Sequence, residues 1–173
     1  MPDLTTIILV TLIVVLLTVF ILGRVVISKE NQKVEELYDE YLHGGYEKIL
    51  AEVKGRSDRG YLLRGLALMQ LDRIEDYVNN LSKVGFKEMN MEPLFFEAII
   101  LAHHKKQEEI YKFLLGEYRR YPKLNKTSVL IFTAMDAYDK EDFEKVKTVV
   151  EQISIINEMY PAQRDYVEKH YKS

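Results

Sequence analysis

The sequence predicts an all-α protein: one apolar helix able to cross a membrane, followed by a body of helix pairs stacked side by side. Three observations carry this prediction. Residues 4–23 hold no charged side chain, the apolar residues after Ser28 recur at helical spacing, and glycine, proline or short polar runs interrupt that pattern at near-regular intervals. A 20-residue helix rises about 30 Å, the thickness of a bilayer's hydrocarbon core.

The segment from Leu4 to Gly23, LTTIILVTLIVVLLTVFILG, is flanked by Asp3 and Arg24. Its four threonines fit a membrane span, because a Thr hydroxyl can bond back to the carbonyl one turn earlier. A cleaved secretory signal is the competing reading. That would need a basic start, a shorter apolar run and a small-residue cleavage site; the start is Met-Pro-Asp and the exit GRVVISKEN has no such site. The expected organisation is a transmembrane anchor over residues 1–27 and a helical domain over 28–173. Lys and Arg near the ends of a span set its orientation. Arg24, Lys29 and Lys33 all follow it, so the expected location is the cell (plasma) membrane with the body in the cytoplasm. Cysteine is absent, so no disulfide framework argues for an oxidising compartment.

The body is close to charge-balanced: all 24 Lys and Arg and 26 of the 27 acidic residues follow the apolar run. Wholesale nucleic-acid binding is not expected of such a balance. Between His103 and Lys126 seven Lys and Arg face three acids, so Lys105, Lys106, Arg119, Arg120 and Lys123 form a candidate basic contact patch for lipid headgroups or an acidic partner.

Along the body, Val34, Leu37, Tyr38, Tyr41 and Leu42 make one helical stripe, and no proline separates them from the span. Gly44-Gly45 ends that helix, and a short helix follows from Tyr46 to Val53. Ser57 or Asp58 caps the next, which carries Leu62, Leu63, Leu66, Ala67 and Met69; a turn near Asp72-Arg73 leads to Ile74, Tyr77, Val78 and Leu81. Pro93 starts a helix bearing Leu94, Phe95, Ala98, Ile99, Leu101 and Ala102, and its partner runs from Glu108 to Tyr121 and stops at Pro122. The fourth pair has Leu130, Ala134 and Ala137, a DKED turn (139–142), then Phe143, Val146, Val149, Val150 and Ile153. Pro161 opens a last, more polar helix, expected to cap the open end of the stack. One helical hairpin leaves too much apolar surface uncovered to stand alone, so successive pairs must pack together.

Turns at Gly44, Asp72, Lys105 and Glu141 lie 28, 33 and 36 residues apart, near the 34-residue period of tetratricopeptide repeats. Over about residues 30 to 157 the chain resembles that family or a related helical-hairpin repeat. Ala134, Phe143, Val146 and Val150 fit its frame in the fourth unit, Ala98, Ile110, Leu114 and Pro122 in the third, and Gly65, Tyr77 and Leu81 in the second, while the first keeps only GGYEKIL (44–50). Tyr77 and Ile110 stand where the family usually has alanine. The resemblance implies a right-handed α-solenoid of about four hairpins that binds a peptide or helix of another protein in its groove. The layout also looks like bacterial proteins in which one span tethers such repeats to the membrane.

No nucleotide, hydrolase or dinucleotide motif occurs. Adjacent His103 and His104 point about 100° apart on a helix and rarely share a metal. The acidic clusters EELYDEY (35–41) and DAYDKED (136–142) fall on helix faces and turns with no partner base. No enzyme activity, cofactor, metal or catalytic residue is expected. The expected function is that of a single-pass adaptor or scaffold binding a protein partner at the bilayer. The alternative is a small accessory subunit of an integral-membrane complex, acting through its span with Thr5, Thr6, Thr11 and Thr18 at a helix contact.

Overall fold

A computed structural model describes residues 3–88, 90–122 and 124–171, and among them every regular element is a helix. The helices are α1 (Leu4–Leu42), α2 (Tyr46–Glu52), α3 (Asp58–Gln70), α4 (Ile74–Leu81), α5 (Glu92–His104), α6 (Glu108–Arg120), α7 (Lys126–Asp139), α8 (Phe143–Ser154) and α9 (Pro161–Tyr171). They form two compact units that divide between Val84 and Gly85.

In the first unit α1 is one uninterrupted helix of 39 residues, capped by the Asp3 carboxylate, which accepts the Thr6 amide at 2.7 Å. Its apolar part is long enough to cross a membrane, and its side chains from Leu4 through Ile27 are exposed. Only the far end enters the core, through Glu30, Val34, Leu37 and Tyr41. These four recur at the spacing of one helix face. That face packs on α2 and α3, and α3 packs in turn on α4.

In the second unit α5 pairs with α6 and α7 with α8. Asn125 caps α7 through the Ser128 amide at 3.0 Å. The connector before α5 is held down by aromatic residues: Phe86 packs edge-on against Phe95 at 4.9 Å, and the Tyr121 hydroxyl donates to the Glu88 carbonyl at 2.8 Å. Helix α9 runs back along α5 and α7, whereas the sequence puts a polar cap at the end of the stack. Gln163 and Val167, both buried, lie one turn apart on α9 and give it an inward face despite its polar composition.

The four hairpin turns share one backbone geometry. At Gly44, Asp72, Lys106 and Glu141 the chain enters the left-handed region, with φ of 83°, 57°, 55° and 57°. The next amide in each turn (Gly45, Arg73, Gln107, Asp142) donates to the carbonyl five residues back (Glu40, Leu68, Ala102, Ala137) at 2.8–2.9 Å. This is the Schellman arrangement, which satisfies carbonyls orphaned at a helix end. The third turn therefore centres on Lys106, one residue beyond the position expected at Lys105, and the turn spacing becomes 28, 34 and 35 residues.

Candidate functional site

The face of α5 and α7 that receives α9 is the most elaborated polar site among the described residues of the second unit. Glu92, in the first turn of α5, projects a carboxylate oxygen that accepts the Tyr118 hydroxyl of α6 at 2.8 Å and the Ser128 hydroxyl of α7 at 2.5 Å. Ser128 has one proton, and Glu92 takes it. Its lone pairs then accept Gln163 Nε2 of α9 at 2.8 Å and the Tyr160 hydroxyl at 3.0 Å. Gln163 Nε2 also donates to Asn125 Oδ1 at 2.9 Å, and Asn125 N donates to the Tyr118 hydroxyl at 3.2 Å.

Ser128 and Gln163 are fully buried. Burial first, and then the facing Glu92 carboxylate, push the Tyr118 and Tyr160 hydroxyls far above the usual phenol range, so both remain donors. Beside this polar knot, the Phe96 ring stacks on Phe132 at 5.5 Å and meets the edges of Tyr160 at 5.6 Å and Tyr166 at 6.2 Å. What the arrangement does is hold a helix.

At the C-terminal end of α9 the His170 ring lies 4.4 Å from that of Tyr166, one turn earlier on the same helix. Burial, followed by Lys169, His104 and His103, lowers the His170 pKa below its ordinary 6.5. A depressed histidine is neutral in the fold, so its contribution is complete above pH 6.5 and is lost as pH falls from there through the lowered value. Amide-exchange protection of α9 is expected to drop as pH falls below 6.5, and His170→Ala is expected to flatten that dependence. Gln163→Leu should loosen α9 at every pH by about 1–2 kcal/mol, because it removes the two bonds from Gln163 Nε2 to Ser128 Oγ and Asn125 Oδ1. Protection of α9 that is insensitive to both changes would mean that these contacts do not hold it.

The basic residues expected to act together are separated. Lys105 and Lys106 sit at the turn before α6, and Arg119 and Arg120 lie in its last turn; the helix between them has 13 residues and so spans about 20 Å. Arg120 also pairs with Glu117 at 2.6 Å. Lys123 lies outside the described residues. His103 pairs with Asp139 at 2.9 Å, and no group of three or more candidate metal ligands occurs among the described residues. The acidic clusters are engaged locally. Glu35 meets Arg59 at 2.9 Å, Glu40 meets Lys48 at 2.5 Å, Asp136 meets Lys140 at 2.8 Å, and Asp142 accepts the Lys145 amide at 3.2 Å.

In the first unit a second feature lies just beyond the apolar part of α1. The buried Glu30 carboxylate accepts the Lys54 amide at 3.1 Å and also the Arg56 amide, fastening the α2–α3 loop to α1. Gly60 completes the joint, since a Cβ there would stand 2.5 Å from the Glu30 carboxylate. No protein family, characterised protein or solved structure matches this chain. Among the described residues, fold and sites define an all-helical protein with one candidate membrane-spanning helix.

Proposed function

We propose that this chain is a single-pass membrane protein whose body, built of tetratricopeptide-like hairpins, is an adaptor that holds a protein partner beside the bilayer. The observation that carries this reading is the face of α5 and α7, which already accommodates a helix, α9, through both aromatic and amide contacts. A partner helix of similar character would use the same chemistry. The shared turn geometry supports the repeat reading, and unbroken α1 supports close tethering of the first unit. Confinement to a surface raises the effective concentration of a bound partner near membrane clients. Arg24, Lys29 and Lys33 after the apolar run favour a cytoplasmic body.

The Thr11 and Thr18 hydroxyls close onto the Ile7 and Val14 carbonyls of their own helix at 2.9 and 2.8 Å. They need no neighbouring helix to satisfy them, which favours the adaptor over an accessory subunit acting through its span. Crosslinking in intact membranes followed by mass spectrometry should capture a protein on the helical body. Capture should persist when residues 4–23 are replaced by an unrelated anchor. No partner above background, or a partner lost with the native span, would overturn the adaptor.

A further inference from the structure

The α2–α3 loop and the start of the body-facing part of α1 border an open hollow of about 390 Å³. Lys29 and Lys33 line it from α1, one turn apart, and Lys54 and Arg56 line it from the loop. Two acids share the lining, and both are engaged. Glu30 is taken by the loop amides, and Glu52 pairs with Lys33 at 2.5 Å. The hollow therefore carries more positive than negative charge, while Lys29, Lys54 and Arg56 are exposed at its rim.

Position gives this charge a meaning. Val26, the lowest lining residue, is exposed and continuous with the apolar column. The stretch from Val26 to Lys33 lies roughly 5–15 Å beyond Gly23 along the helix axis. Headgroups occupy about 5–8 Å outside a 30 Å hydrocarbon core, and long cationic side chains reach back toward them. Glu30 brings Lys54 and Arg56, distant in sequence from α1, to this level.

We infer that this hollow binds the phosphate of an anionic lipid headgroup, with Val26 against the acyl boundary and Lys29, Lys54 and Arg56 around the phosphate. The inference rests on reading α1 as a membrane span. The test is native mass spectrometry of the full chain in detergent, titrated separately with phosphatidylglycerol, phosphatidylcholine and inorganic phosphate. Phosphatidylglycerol should be retained preferentially, and Lys54→Glu with Arg56→Glu should weaken it by about tenfold or more. Lys29→Glu should weaken it from the helix side, which keeps the test independent of loop folding. Arg119→Glu with Arg120→Glu should leave it unchanged.

Equal retention of phosphatidylcholine, equal binding of inorganic phosphate, or indifference to the charge reversals would each overturn the site. Alkaline extraction of membranes holding the same chain separates the two readings. A chain that stays in the membrane without lipid preference has lost only the lipid site, and a chain that washes off has lost the span and the site together.

Discussion

Leu12→Lys combined with Leu16→Lys is expected to release the chain from alkali-washed membranes while leaving its helical body folded. Fifteen of the residues from Leu4 to Gly23 are Leu, Ile, Val or Phe. At roughly −0.3 to −0.6 kcal/mol each they favour insertion by about 5–9 kcal/mol. Two central lysines, together with the two leucines lost, reverse roughly 6–8 kcal/mol of that. The opposing terms are then nearly equal, and insertion fails. Leu12 and Leu16 are 54% and 60% exposed and touch no part of the core, so circular dichroism of the body should not change. A variant that stays in the membrane pellet, or one that loses the helices of the body, would refute a lipid-embedded role for this segment.

The continuity of α1 was legible in the sequence because nothing between Gly23 and Leu42 can break a helix. Turn positions were legible from glycine and polar runs. The third was misplaced by one residue because its left-handed position is Lys106, which local sequence does not distinguish from Lys105. Glu30 went unread, although a signal exists: it lies four residues before Val34, on the stripe continued by Leu37 and Tyr41. A carboxylate on a buried stripe needs a partner, and here the partners are loop amides 24 and 26 residues away. Gln163 is a similar case, one turn from Val167 on an otherwise polar helix. The knot that joins it to Ser128 and Glu92 depends on contacts across 35 and 36 residues, which no periodicity reveals. The basic run is divided between the two ends of α6, a separation that closeness along the chain does not reveal.

Tyr77 departs from the repeat pattern, and the departure has a local cause. A Cβ at Gly65 would stand 2.8 Å from Tyr77 Cε2 and 3.1 Å from Cδ2, so the absence of a side chain on α3 makes room for the ring from α4. The same twelve-residue separation links Ala98 to Ile110 and Ala134 to Val146, a small residue each time preceding a larger one. Tyr77 is 1% exposed, and its hydroxyl is buried without a hydrogen-bond partner among the described residues.

Truncation and hydroxyl removal are therefore expected to act in opposite directions. Tyr77→Ala should destabilise the first unit by about 3–5 kcal/mol through the cavity it leaves. Tyr77→Phe should be neutral or stabilise by about 1 kcal/mol, because it removes a desolvated hydroxyl and keeps the ring. Gly65→Ala alone should cost about 1–3 kcal/mol from overpacking, offset in part by about 1 kcal/mol of helix propensity. In the Tyr77→Ala background only Asn80 Nδ2, at 3.3 Å, stays close to the new methyl, so the same Gly65→Ala change should cost much less than it does alone. Melts of the four full-length variants in mild detergent measure this coupling directly. Additive single-site effects would show that the glycine and the ring do not meet, and a destabilising Tyr77→Phe would show that the hydroxyl has a partner in the fold.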